Sequence, residues 1–271
     1  MYYRKSFIIS LAAALAVCSC SIKEDRWPCP CWLVFQSAGE TPLPESGAFT
    51  VTVFPEGSSI EEKTAQVSWQ SLQDNTYDVS VSKGYKVINS IMGISKQTLS
   101  GSDVIISEGM QADSLYSFSS RVECLGEEAM VPVRMDKQYA TVFLRMENDS
   151  DSYPFDLRVR GEVNGMSLLT LEPHFGRFSL DCTPFAGGNE FRFRLPRQKD
   201  GSLVLELREK GMEPGSNPLE TIPLGQYIIE SGFDWTKASL DDIYIGVDYA
   251  RAGIRITVGD WETVLQVTEE I

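Results

Sequence analysis

Histidine is almost missing from this chain. Its 271 residues include one, His174, and with that scarcity go the usual routes to a base poised near neutral pH or to an imidazole metal site. There is no G-x-S-x-G elbow, no P-loop and no C-x-x-C pair, so no nucleophile, phosphate cradle or zinc knuckle is signalled. Positive charge is short as well. Lys and Arg number 24 against 38 Asp and Glu, for a formal net charge of −14. Nucleic acid and anionic lipid both demand clustered cations, so neither is expected as a ligand. Nowhere does an apolar run approach the roughly 20 residues a membrane-crossing helix needs. No stretch holds an i, i+3, i+4, i+7 apolar pattern over three turns. The expectation is a body without catalytic residues, cofactor or metal, and not an enzyme.

The chain does have a leader. Arg4 and Lys5 precede an apolar run from Phe7 to Val17, and small residues follow beside cysteine. A basic start, a run of about 11 apolar residues and a small-residue exit describe a secretory signal that is removed, too short to remain as a transmembrane anchor. Val17-Cys18-Ser19-Cys20 resembles the bacterial lipobox, in which cleavage falls before a lipid-bearing cysteine. Cys20, preceded by the small Ser19, is the expected lipid attachment site. Two lipid signals already give stable attachment, and a triacylated cysteine exceeds that. Loss of residues 1–19 also removes two positive charges and leaves the remainder more acidic.

Four further cysteines, Cys29, Cys31, Cys124 and Cys182, would then lie in a disulfide-permissive compartment. They allow three connectivities. A Cys29–Cys31 bridge across the single Pro30 ranks last because it would be strained. Residues 20–31 read as a polar tether stiffened by Pro28 and Pro30.

From Trp32 onward the pattern has period two. Trp32–Phe35, Phe49–Phe54, Val67–Gln70, Tyr77–Val81, Lys86–Asn89, Val104–Ile106, Leu115–Phe118 and Met130–Val133 read as strands, separated by turns such as Pro55-Glu56-Gly57-Ser58-Ser59. A second series opens at Tyr139–Met146 and continues through Phe155–Arg160, Leu168–Leu171, Phe175–Leu180, Phe191–Leu195, Leu203–Leu207, Tyr227–Ile229, Ile243–Val247, Ile254–Val258 and Thr263–Val267. Many short strands at this spacing indicate sandwiches or barrels. The reading is all-β with two domains, 32–135 and 136–271, and a turn or two of helix around Asp234 to Asp242.

Isolated features carry little chemistry. Asp241-Asp242 and Glu127-Glu128 are adjacent pairs, which point to opposite faces of a strand. Asp149-Ser150-Asp151 alternates oxygen ligands like a calcium loop but lacks the following Gly and the distal Glu. Asp113-Ser114-Leu115 fits a short O-glycosylation pattern. Arg158, Arg160, Arg192 and Arg194 occupy alternate positions on two strands, where they form either an adhesive patch or cross-strand pairs with acids.

The mature start, Cys20-Ser21-Ile22-Lys23-Glu24-Asp25-Arg26 followed by Cys29-Pro30, resembles that of FimB/Mfa-type fimbrial anchor lipoproteins. Asp25-Arg26 and Cys29-Pro30 match the family's D-R pair and later C-P, and Gln138-Tyr139-Ala140-Thr141-Val142 looks like the opening of its second domain. The resemblance implies two tandem transthyretin-like β-sandwich domains behind a lipoprotein signal peptide. It implies a surface-exposed place in the outer membrane through lipid, and fimbrial stalk or accessory subunits as partners. Lys23, Glu24 and Asp25 would be the surface-export signal. Stalk subunits of this kind complete one another's sheets by strand addition. An anchor must keep its own N-terminal strand, so Trp32–Phe35 is expected to stay paired, and strand exchange to run through Ile254, Ile256, Val258, Val264 and Val267. A lipid-anchored carbohydrate-binding protein of a glycan-uptake system is the alternative. It would be signalled by a flat row among Trp27, Trp32, Trp69, Trp235 and Trp261.

Overall fold

The computed structural model describes residues 29–38, 48–73, 78–93, 98–100, 103–147, 155–167, 170, 172–185, 188–211, 217–248, 255–258 and 266–268, with backbone alone at 71, 73, 78, 98–100, 147, 248, 255–258 and 266–268. In chain order the elements are β1 (Cys31–Ser37), β2 (Ala48–Pro55), β3 (Lys63–Ser68), the single-turn helix α1 (Trp69–Gln73), β4 (Asp78–Val81), β5 (Gly84–Met92), β6 (Thr98–Ser100), β7 (Asp103–Ile105), β8 (Tyr116–Cys124), β9 (Glu128–Val133) and β10 (Asp136–Lys137). There follow β11 (Tyr139–Glu147), β12 (Phe155–Ser167), β13 (Pro173–Cys182), β14 (Pro184–Phe185), β15 (Glu190–Pro196), β16 (Val204–Glu209), β17 (Glu220–Ile222), helix α2 (Leu224–Glu230), β18 (Ile243–Asp248), β19 (Arg255–Val258) and β20 (Gln266–Thr268). The all-β expectation holds.

The strands build two layered bodies. In the first, the sheet β4-β1-β9 faces the sheet β10-β8-β5-β2-β3. Alternation decides what lies between them. Cys31, Leu33 and Phe35 of β1, Phe49, Val51 and Val53 of β2, and Ala129, Val131 and Val133 of β9 all turn inward to one core, as period-two strands with one buried face must. β1 is the middle strand of its sheet, antiparallel to β4 and parallel to β9. A parallel neighbour cannot come from a hairpin, so β1 is held by a strand about a hundred residues downstream.

In the second body β14-β15-β11-β18-β19-β20 faces β17-β16-β12-β7-β6, with β13 also paired to β12. Its core gathers Val142 and Leu144 of β11, Phe191, Phe193 and Leu195 of β15, Ile243, Ile245 and Val247 of β18, and Leu157 and Val159 of β12. It also contains Ile106 and Ala112 from the first half of the sequence. β7 leaves the first series to pair with the far end of β12, Gly165 opposite Ile105. Gly165 makes this possible: a Cβ there would stand 2.0 Å from the Val104 carbonyl oxygen. Against β13 the register of β12 shifts between Gly161 and Val163 and between Val163 and Gly165, as bulges at glycine do, while β16 pairs with residues 155–160 of β12 and β7 with residues 165–167.

Three local readings are corrected. Val67–Gln70 is not one strand; β3 stops at Ser68 and α1 begins at Trp69. Tyr227–Ile229 is helical, not extended. Behind Pro223 as N-cap, Leu224, Tyr227 and Ile228 are buried, an i, i+3, i+4 stripe too short to stand out in sequence. The segment 234–242 forms turns instead of the expected helix. Leu168, Leu169 and Leu171 lie outside the described residues.

Segment 234–242 is fixed by one cation. Arg197 is buried, and its guanidinium donates to Gln138 Oε1 (2.8 and 3.3 Å), to the carbonyl oxygens of Lys237 (2.8 Å) and Ala238 (3.0 Å), and to that of Trp235. All five N–H donors are thereby used. Burial holds its pKa below the ordinary guanidinium value, offset in part by Asp136 and Asp234. The same region ties the bodies together. Lys137 N–H donates to Ser239 Oγ (3.2 Å), Leu240 N–H to the Lys137 carbonyl (2.9 Å), and Tyr116 and Tyr139 share a hydroxyl contact of 3.3 Å. Tyr116 packs against both cores, and burial, then Tyr139, raises its phenol pKa.

Candidate functional site

The expected kind of site is a surface or an edge, and the second body has both. On β11 the inward residues are Val142, Leu144 and Met146, which leaves Phe143 on the opposite face. Register sets Phe143 beside Arg192 of β15 and Tyr244 of β18. The Phe143 and Tyr244 rings stack at 5.0 Å with 9° between planes, and the Arg192 guanidinium lies 5.1 Å from the Phe143 ring. Phe185, 63% exposed, stands over a cleft of about 180 Å³ that Arg145 and Glu190 also line. Such a shelf can take an apolar or planar group while its charged rim orients the ligand.

The edge is β20. It pairs with β19 and closes the row, β19 lying between it and β18. A terminal strand offers one row of backbone donors and acceptors to a further strand.

The expected site residues fall as follows. Ile256 and Val258 are in β19 and Val267 is in β20, with Ile256 opposite Val267 and Val258 opposite Ile245. Ile254 and Val264 lie outside the described residues, as do Cys20, Lys23, Glu24 and Asp25. Trp32–Phe35 is paired along its whole length within the first body.

The four arginines do not make one patch. Arg158 forms a two-pronged pair with Asp181, and Arg160 and Arg208 both engage the buried Glu206. Arg194 donates from Nε to the Ala112 carbonyl (2.7 Å), which helps hold 111–113 against β15. Arg192 alone of the four meets the aromatic shelf. No row of tryptophans forms among the described residues: Trp235 is buried, Trp69 packs edge-on to Phe49, and Trp32 is partly exposed on β1. Trp27 and Trp261 lie outside the described residues.

His174 is exposed and contacts Asn164 Oδ1 at 3.3 Å. Asp241 pairs with Lys237, while Asp242 pairs with Lys137 and accepts from Thr141 N–H (3.0 Å), so the acidic pair is divided between two structural tasks. Ser114 is exposed beside the buried Asp113. Asp149 and Asp151 lie outside the described residues. Among the described residues no helix is long and apolar enough to cross a membrane. The shelf escaped the sequence reading, although Val142-Phe143-Leu144 carried a signal: apolar residues on both faces of one strand.

No protein-family model matches the chain, and no curated protein matches it in sequence. Solved structures do. A candidate adhesin from Bacteroides ovatus superposes with a TM-score of 0.61 at 13% identity, covering 88% of this chain and 95% of the other. A candidate polysaccharide-binding protein from Bacteroides thetaiotaomicron gives 0.60 at 12%, covering 89% and 99%. The fimbrial anchor protein Mfa2 from Porphyromonas gingivalis gives 0.59 at 11%, covering 86% and 98%. At these identities the likeness is one of fold, and it runs through both bodies.

Proposed function

We propose that the chain is a surface-exposed outer-membrane lipoprotein, lipidated at Cys20, that anchors or accessorises a fimbrium. In this reading Lys23, Glu24 and Asp25 direct export to the outer leaflet, and residues 20–31 tether two domains, 32–135 and 136–271, with segment 98–115 lent to the second. The fimbrial subunit engages the β19–β20 end of the second domain by strand addition. The observation that carries the proposal is the position of β1. It is flanked on both sides and buried on one face, so the N-terminal strand stays in place and with it the covalent path to the membrane. The shared fold with a fimbrial anchor protein supports the same reading.

The test is a crosslinking pull-down from intact cells, with an affinity tag inserted after the exposed Ser59. A ladder of β-rich fimbrial subunits, lost from the membrane fraction when Cys20→Ala frees the protein, is the expected result. One feature favours the carbohydrate-binding alternative, the stacked pair Phe143–Tyr244 beside Arg192 and Glu190. Recovery of a glycan-import porin complex without a ladder would put that reading first.

A further inference from the structure

Four cysteines leave three pairings open, and the fold selects among them. Cys31 is the first residue of β1 and Cys124 the last of β8, on opposite sheets of the first body. Both side chains are fully buried in the same core. Strand register brings them together from two directions. Cys31 lies opposite Val81 at the end of β4, and Cys124 lies opposite Gly84 at the start of β5. Val81 and Gly84 are separated only by Ser82 and Lys83, so one tight turn spans the gap between the two sheets at this point. On the other side Trp32 N–H donates to the Glu127 carbonyl at 2.8 Å, which fastens the start of β1 to the turn that leaves β8. The two thiols are free, and each lies within interaction range of the other. Cys29 is exposed, and Cys182 belongs to the second body.

We infer that Cys31 and Cys124 form a disulfide on export, a covalent staple between the two sheets of the first body at the end where the tether enters. The oxidant is a disulfide-bearing dithiol, as in thiol–disulfide exchange. The Cys31 thiolate attacks one sulfur of the oxidant and expels the other as a thiol, giving a mixed disulfide. Cys124, deprotonated, then attacks the Cys31 sulfur and expels the second oxidant thiol. Two electrons and two protons leave the pair, and the oxidant's disulfide becomes two thiols. Exchange needs a thiolate. In the folded body burial, then Cys31, pushes the Cys124 thiol up to about 12, against the pull of Lys86. Where the anchor reading holds, any pull between lipid and fimbrium enters the body at Cys31, and the staple passes it to β8 instead of unzipping β1 alone. That clause rests on the proposed function; the bridge rests only on export, and the choice of partners on the fold.

The full chain, purified from the membranes of exporting cells, is denatured and alkylated without reductant, then digested with trypsin and mapped by mass spectrometry. A crosslinked pair of peptides, 27–63 with 122–134, is expected, with fragment ions placing the bond at Cys31 and with Cys29 and Cys182 alkylated. Cys29→Ser should keep the crosslink and Cys31→Ser should abolish it. Reduction should lower the melting midpoint of the first body by about 5–15 °C, since the bridge closes a long loop. Alkylation of both Cys31 and Cys124 without reductant, or a bond from Cys124 to Cys29 or Cys182, would overturn the assignment. The map reads the bridge whether or not a fimbrial ladder is recovered.

Discussion

The two bodies share an architecture and differ in how they end. The first takes its strands from one stretch of the sequence, residues 31–137. Its N-terminal strand sits mid-sheet with a parallel partner drawn from the far end of the same half, and its core is built from aliphatic residues and a few phenylalanines. The second is assembled from both halves of the sequence. It takes β6, β7, Ile106 and Ala112 from before residue 115, pins a helix-free loop with Arg197, and finishes in a row of short strands whose last member is β20. In the first body β1 is internal to its sheet; in the second β20 lies at a sheet edge. Where the proposed anchor reading holds, that difference separates the part that must not open from the part that accepts a strand.

The comparison can be broken most forcefully at β1. Phe35→Ala removes a fully buried ring from the first core and should cost about 3–5 kcal/mol. Hydrogen exchange should accelerate across β2, β5 and β8 while β11 and β15 stay protected. Uniform acceleration across both bodies would show that they do not melt separately.

The second body has its own weak point in Arg197. Arg197→Met takes the guanidinium donor from the Trp235 and Lys237 carbonyl oxygens and from Gln138 Oε1, while Ala238 keeps Gln138 Nε2, and should cost about 3 kcal/mol, since each orphaned buried group carries a desolvation penalty. Its signature is faster exchange in 234–240, read by the same experiment, with the first body unchanged.

The loan of β7 is tested by Gly165→Ala. The added methyl meets the Val104 carbonyl, and displacing β7 should cost about 2 kcal/mol as overpacking does. Leu115 and Met166, which share a small cluster with Val104, should loosen first, visible as new exchange at their amides.

The smallest effect expected is one of pH. Lys86 is buried on β5 and donates to the Glu62 carboxylate and to Ser82 Oγ (2.8 Å). Burial alone would raise the Glu62 pKa, but the Lys86 and Ser82 hydrogen bonds outweigh it and hold the pKa below 4.5. A depressed carboxyl pKa contributes stability above the unfolded value, and that stability is lost as pH falls through the folded one. Acidification below about pH 4.5 should therefore lower the denaturant midpoint of the first body. Glu62→Gln, already without the pair at pH 7, should start lower and show a shallower acid loss.

Much of this was legible in the sequence. Phe49-Thr50-Val51-Thr52-Val53 and Phe191-Arg192-Phe193-Arg194-Leu195 alternate because each strand buries one face, and the structure turns those very residues inward. What was not legible depends on distant partners. Val104–Ile106 reads as a strand of the first series, yet its partner is Gly165, and no local pattern announces that. The helix at Leu224–Glu230 has too few turns for its period to be seen against a β-like Tyr227-Ile228-Ile229. The alternating arginines left a patch and cross-strand pairs both open, and Asp181, Glu206 and the Ala112 carbonyl absorb three of them. The proposed pairing of Cys31 with Cys124 needed the β4–β5 turn to bring both strand ends to one place.

The most direct test of the account is truncation after Gly259, which removes β20 and leaves the first body whole. The account predicts a folded, membrane-bound protein, with both cores still protected from exchange, that no longer recovers the fimbrial ladder in the crosslinking pull-down. Full recovery of the ladder by the truncated chain would contradict it and move the subunit contact away from the C-terminal edge.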